Sequence, residues 1–436
     1  MVGLEMAWLE ILVLCGSFVA LLALGVPVAF AIGMATVLTL LTGMPAEPAL
    51  VTVAQRMATG LDSFSLLAIP FFVFAGRLMH RGGSARRLVD LAKAVLGPLP
   101  GGLAYVNVLA CMLFGAISGS AVAAASAIGG VMAPHMEDEG YDRDFSAAVN
   151  VSSATTGLII PPSNILIVYS LAAGGVSIAA LFLAGYLPGL LMGLGLMVVA
   201  GVSAHRRGYT TEPAVALKEL TRRFVYALPS LLLLVVVIGG IVAGLFTATE
   251  AAAVAVLYAW ILALFDGGLS WRDLRRTATE AAETTAVVLL LVATSMAMSW
   301  VLAYASIPQS LAAALLAATE SKIAILLIIN LVLLAVGTVM DMTPAVLIFT
   351  PIFLPVVTAL GMDPIHFGIV LVMNLCIGLC TPPVGSVLFV GCGVAGTRIE
   401  QVTRPLLPFF FMMIAALLAV TYLPWLSLAL PGLFGF

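Results

Sequence analysis

Two double prolines, Pro161-Pro162 and Pro382-Pro383, interrupt apolar stretches that are otherwise long enough to form continuous helices. Proline has no N–H to donate and its ring clashes with the preceding turn, so each pair breaks a helix and strands backbone carbonyls. The first break reads Gly157-Leu158-Ile159-Ile160-Pro161-Pro162-Ser163-Asn164, and the second Gly378-Leu379-Cys380-Thr381-Pro382-Pro383-Val384-Gly385. Two further interruptions are expected to face them: Gly115-Ala116-Ile117-Ser118-Gly119-Ser120 and Gly337-Thr338-Val339-Met340-Asp341-Met342-Thr343-Pro344. Unpaired backbone groups in hydrocarbon cost several kcal/mol each, and a bound ion or ligand can supply the missing partner. These sets are rich in carbonyl and hydroxyl oxygen, which suits a small hard cation such as sodium. The N-termini of the half-helices suit a carboxylate. A single hydroxyl in a membrane helix commonly bonds its own backbone; four clustered, doubled sets favour a site.

The elements that hold these breaks must be membrane helices. Of the 436 residues, 62% are apolar and only 9% charged, against roughly 25% charged in a soluble domain. Apolar runs near 9–24, 25–43, 64–80, 178–204, 225–246, 247–265, 284–306 and 406–430 predict spanning helices,. The N-terminal run has no basic leader and no cleavage pattern, so it reads as a retained first helix. The stretches 101–133 and 321–356 each hold two short apolar arms around a break and predict re-entrant hairpins,. The stretches 145–173 and 366–394 predict broken helices. The longest polar segments, 47–68 and those near 134–147, 205–224 and 266–284, are too short to fold as a soluble domain. Any capture of a ligand outside the bilayer then falls to another chain.

Basic residues cluster around Arg77 to Lys93, Arg206 to Arg223, Arg272 to Arg276, and Arg398 to Arg404. The positive-inside rule places all four clusters in the cytoplasm. The first hairpin then enters from the cytoplasm, the second from outside, and the C-terminus lies outside. With a net charge of −3 the chain has no electrostatic footprint for nucleic acid. Cys15, Cys111, Cys376, Cys380 and Cys392 all sit in apolar runs and read as small hydrophobes,. The four histidines are scattered, with no HExxH and no paired carboxylates in an apolar pocket, which argues against a membrane-embedded enzyme,. Asn107, Asn150, Asn330 and Asn374 either line a path or hydrogen-bond between helices,.

The two unusual regions are copies. Pro134 and Pro355, Gly140 and Gly361, Asp142 and Asp363, Gly157 and Gly378, Pro161 and Pro382, and Pro162 and Pro383 are each 221 positions apart. Five crossings between the hairpins turn the second copy upside down. The fold predicted is an all-α polytopic membrane protein with inverted-topology repeats, each carrying a re-entrant hairpin and a broken helix, an architecture of secondary transporters. Its expected divisions are scaffold helices in 1–63, repeat 1 in 64–173, scaffold helices and cytoplasmic loops in 174–283, repeat 2 in 284–394, and an amphipathic segment with a last helix in 395–436. Asp341 and Glu250 are the intramembrane acids and each is a candidate proton carrier,. Because Ser120 stands where the repeat would match Asp341, a proton-only mechanism would rest on one half of a symmetric machine, and sodium is the better expectation.

The stretches LAIPFFVFAGRLM (68–80), FGAISGSAVA (114–123), GLIIPPSN (157–164), GTVMDMTPAVLIFTPIFLPVV (337–357) and GMDPIHFGIVLVMNLCIGLCTPPVGSVLFV (361–390) resemble the large membrane subunit of tripartite ATP-independent periplasmic (TRAP) transporters. The resemblance implies an elevator-type ion transporter fold in a bacterial inner membrane, in which hairpins and broken helices slide against the scaffold. It implies coupling to sodium with no other cofactor. It implies two partners, a small four-helix membrane subunit on a separate polypeptide and a soluble periplasmic protein that hands over an organic acid. One sodium site would use Gly337, Thr338, Gly378, Thr381 and Val384, and its mirror Ser118, Gly119, Ser120, Gly157, Ile160 and Ser163. Substrate would sit between the tips, against Ser118, Ser120, Asn164, Asp341, Thr343 and Gly385. The family's range spans C4-dicarboxylates, sialic acid, sugar acids and keto acids. A stand-alone sodium- or proton-coupled dicarboxylate or citrate carrier of the same architecture is the alternative.

Overall fold

The computed structural model describes residues 2–209, 215–265, 270–319, 321–382 and 384–436, and among them every regular element is a helix. Pro383, expected as part of the second break, lies outside the described residues. In chain order the helices are α1 (Val2–Ala23), α2 (Val28–Gly43), α3 (Ala46–Leu61), α4 (Ala68–Arg81), α5 (Ser84–Leu96), α6 (Gly102–Ser118) and α7 (Ala121–Asp138). Next come α8 (Arg143–Ala154), α9 (Thr156–Ile159), α10 (Asn164–Ala172), α11 (Ile178–Arg207), α12 (Leu217–Val242), α13 (Ala248–Phe265) and α14 (Trp271–Tyr304). The last are α15 (Ile307–Ala318), α16 (Lys322–Gly337), α17 (Met342–Ala359), α18 (Pro364–Gly378), α19 (Ser386–Ala395), α20 (Ile399–Tyr422) and α21 (Trp425–Leu433). Seven described helices are long and apolar enough to cross a membrane, or eight if α8–α9 and α10, bent by 51° at the double proline, count as one span.

The two stretches expected as hairpins fold as helix pairs, α6 with α7 and α16 with α17. The arms are 16 to 18 residues long, and α7 continues past its apolar part into the polar end Pro134–Asp138. α17 is itself long and apolar enough to cross. Three helices, α3, α5 and α15, were not expected, and α14 starts at Trp271 rather than near 284. Its start is fixed by a capping box, in which the Ser270 hydroxyl accepts from the Asp273 N–H and the Asp273 carboxylate accepts from Ser270,.

The repeat is visible in the element bounds. α7 and α17 begin at 121 and 342 and end at 138 and 359, and α8 and α18 begin at 143 and 364, all at the 221 spacing. α10 and α19 begin at 164 and 386, one residue further apart, so α19 starts one position later in the repeat than α10. The copies interlock: α7 packs on α19, and α10 packs on α17. A second group packs around α14, which contacts α2, α3 and α4, while α4 also packs on α13.

α11 packs against α21, α20, α6, α18 and α9. Its glycines at 185, 189 and 193 form a small-residue seam of the kind that lets helix backbones approach in lipid. A β-carbon on Gly185 would lie 2.3 Å from the Ile159 carbonyl oxygen, and one on Gly189 2.4 Å from the Ile160 side chain. The buried asparagines join helices. Asn374 donates to Asn330 at 2.7 Å, Asn330 donates to the Thr421 hydroxyl at 3.1 Å, and Asn150 donates to the Ala125 carbonyl at 2.8 Å. The five cysteines are free thiols; Cys15 is exposed and the other four are buried.

Candidate functional site

Each hairpin tip meets the break of its own copy at a glycine pair. In the first copy a β-carbon on Gly157 would lie 2.3 Å from the α-carbon of Gly115; in the second, one on Gly378 would lie 2.5 Å from the α-carbon of Gly337. Real β-carbons do not approach other atoms so closely, so only glycine allows these backbones to touch.

The first tip is shaped by Gly119, which ends α6 at φ 62°, a left-handed conformation that a β-carbon disfavours,. Ser120 then caps α7, its hydroxyl accepting from the Ala123 N–H at 3.2 Å,. A β-carbon on Gly119 would come within 2.9 Å of the Asn164 side-chain amide, so the tip rests on the first residue of α10. In the break itself the fully buried Ser163 hydroxyl donates to the Leu158 carbonyl at 2.5 Å. This leaves its oxygen lone pairs available to a cation.

The second break is held differently. The Thr381 hydroxyl donates to the Ile377 carbonyl at 2.7 Å, one turn back in its own helix. Gly385 caps α19 at φ 49°, with its N–H donating to the Thr338 carbonyl at 3.3 Å. The Thr338 hydroxyl donates to the Ala335 carbonyl. Val384 is exposed. The polar atoms of both breaks are backbone carbonyls and hydroxyls; no cluster of three or more His, Cys, Asp or Glu side chains suited to a transition metal occurs among the described residues.

Above the breaks lies a cavity of about 870 Å3. Five of the six residues expected around a substrate line it: Ser118, Ser120, Asn164, Asp341 and Thr343. The sixth, Gly385, does not line it, but its neighbour Ser386 does, and the Ser386 hydroxyl has no hydrogen-bond partner among the described residues. Ser386 opens α19 as Asn164 opens α10; that correspondence, one position beyond the 221 spacing, is the signal that would have found it.

The facing wall is formed by α4 and α14 and was not anticipated as part of a site. It carries Arg77, Arg81, Arg276, Glu280 and Thr284. Glu250, by contrast, stands outside the cavity. Its carboxylate accepts from the Thr247 N–H and hydroxyl at 2.8 and 2.9 Å, a capping role at the start of α13.

The chain matches the family model described as tripartite ATP-independent periplasmic transporter, DctM component, over residues 15–426. It is 54% identical to the uncharacterized protein YgiK of Salmonella typhimurium, over 97% of this chain and 98% of that one. It is 38% identical to the C4-dicarboxylate TRAP transporter large permease protein DctM of Rhodobacter capsulatus, over 97% and 99%. Similar proteins at 37% to 42% identity over most of this chain are named for isethionate in Oleidesulfovibrio alaskensis, 2,3-diketo-L-gulonate in Escherichia coli and sialic acid in Vibrio cholerae. The first of these, a DctMQ protein, is matched over 66% of its length. The fold is similar to the crystal structure of the Alcanivorax borkumensis YdaH transporter, with a TM-score of 0.66 at 13% identity over 88% of this chain and 89% of that one. A full-length family match, relatives aligned end to end and a bundle of apolar spans agree: the chain belongs to the TRAP transporter family as its DctM component, a multi-pass permease of the inner membrane.

Proposed function

We propose that this permease imports a small organic acid together with sodium, by an elevator movement of the hairpins and broken helices against the helices around α14. The observation that carries the reading is the meeting of each tip with its break beneath one shared cavity. A break at membrane depth needs partners for its carbonyls, and the atoms gathered here are hard oxygens, the donor type that binds small cations. The cage in the first copy would draw on Ser118, Gly119, Ser120, Gly157, Ile160 and Ser163; the second on Gly337, Thr338, Gly378, Thr381 and Val384. Substrate would lie between the tips, reached by Asn164, Asp341, Thr343 and Ser386. Inverted repeats around a midplane site support alternating access.

Relatives named for dicarboxylates, a sugar acid, sialic acid and a sulfonate share an acidic group, and the family supports two partners, a small membrane subunit and a periplasmic binding protein. In proteoliposomes with both partners, an inward sodium gradient should drive uptake of an organic acid, and replacing sodium with choline should abolish it. Uptake without the binding protein would favour a stand-alone carrier. Uptake driven by a proton gradient alone would move the coupling to Asp341.

A further inference from the structure

We propose that Arg77, Arg81 and Arg276 form an anion station in the wall of the cavity, where Glu280 holds the place of a substrate's acidic group. The proposal rests on the transport reading and names a second contact surface for the same substrate class, carboxylates or other oxyanions.

Three guanidiniums converge on the one carboxylate of Glu280. Arg77 reaches it at 3.0 Å, Arg81 at 3.2 Å and Arg276 at 2.9 Å. Asp273, 3.5 Å from Arg81, is the other carboxylate in ion-pair contact with them, so among the described residues three cations share two anions. Each arginine meets Glu280 through one nitrogen. The second nitrogen of Arg77 donates instead to the neutral Thr284 hydroxyl at 2.8 Å. A guanidinium fork is built for two oxygens of one anion, and a neutral acceptor is the weaker partner. An incoming carboxylate can therefore replace Thr284 and draw Arg77 from Glu280 without leaving the glutamate bare, since Arg81 and Arg276 still hold it.

The position fits passage. Arg77 follows Gly76, where a β-carbon would lie 2.7 Å from the Ser118 carbonyl oxygen, so the arginine stands one residue from the first hairpin tip. Asp341 and Thr343 line the same cavity. An anionic group is drawn to the arginine wall, which lies at the end of α4 that the charge rule assigns to the cytoplasm. The basic cluster that reads in sequence as an orientation signal thus carries an exchangeable site.

Two measurements test this on the purified full chain, with acetate and succinate as probes. In Glu280→Gln the three arginines lose their resident anion, and acetate replacing chloride at constant sodium and ionic strength should raise Tm by about 2 °C or more. Wild type, where Glu280 competes for the arginines, should respond less, and the Glu280→Gln/Arg77→Gln double variant should not respond. No acetate effect on Glu280→Gln overturns the station. Should that variant fail to fold, phenylglyoxal modification of wild type, read by peptide mass spectrometry, decides. Succinate should slow modification of Arg77 several-fold and leave the exposed Arg222 unchanged; equal rates at Arg77 overturn the proposal. Neither readout uses uptake, so sodium-driven transport with an unprotected Arg77 would remove the station and leave the transport reading intact.

Discussion

The N–H of Gly385 donates to the carbonyl of Thr338 at 3.3 Å, so the second break is fastened to its hairpin tip by a backbone bond. The first break is closed within its own segment, by the Ser163 hydroxyl on Leu158. Equivalent places in the two copies are thus stabilised by different means, and substitutions should separate them.

Removing a hydroxyl oxygen from a cage should weaken the ion without unfolding the helix. Thr381→Ala and Ser163→Ala are each expected to lower sodium affinity on the order of tenfold, about 1.4 kcal/mol. The measurement is Tm in sodium against choline at matched ionic strength, where saturating ligand adds about 2.7 kcal/mol at 100 times its Kd. Thr381→Ser should keep the effect. A full sodium response in both alanine variants would take these hydroxyls out of the site.

A methyl group at the glycine contacts should push tip from break. Gly157→Ala and Gly378→Ala are expected to cost about 1–3 kcal/mol each, as overpacking does, and to reduce uptake. Gly130→Ala is the control, since it lies in a helix with nothing near its added carbon; it should be neutral or slightly stabilising. Equal stability in all three would mean that the tips stand further from the breaks than this.

Restoring N–H donors at the first break should let α9 run on into α10. Pro161→Ala/Pro162→Ala is expected to abolish uptake while protein still reaches the membrane, because the freed carbonyls gain helical partners and are lost to a cation. Wild-type uptake by this variant would sink the role given to the break.

The Asn374–Asn330–Thr421 chain offers a test of fold apart from function. Asn330→Leu removes one hydrogen bond from each of two buried partners, which keep bonds to the Val370 and Leu417 carbonyls, and should destabilise by about 0.6–1.7 kcal/mol,. Its sodium-dependent shift in Tm should equal that of wild type; a diminished shift would connect this chain to the ion site.

Much of this architecture is legible in the amino-acid order because breaks in hydrocarbon demand special residues. The double proline at 161–162, the glycine at 119 and the repeat spacing all follow from that demand, and the expected tips fall where α6 meets α7 and α16 meets α17. Hidden features depend on contacts between distant segments or on mixed composition. Arg77 and Glu280 are 203 residues apart in sequence and meet because α4 packs on α14. α5, with the sequence SARRLVDLAKAVL, reads as polar although one face is buried. The seam at Gly185, Gly189 and Gly193 has a visible spacing, but its partners, the first break at Gly185 and Gly189 and Met112 of α6 at Gly193, emerge only in three dimensions.

The start of α19 one position later than that of α10 has a consequence for order. Duplicated halves with identical spacing could hold two ions interchangeably; here Ser163 caps α10 in one half and Gly385 caps α19 in the other. In the proposed sodium-coupled reading, two cages built on different rims would bind the same ion with different strength, and filling would follow a fixed succession. The half that fills last would then govern when the loaded carrier is complete, and the later start of α19 would act as a timing element in an otherwise symmetric pair.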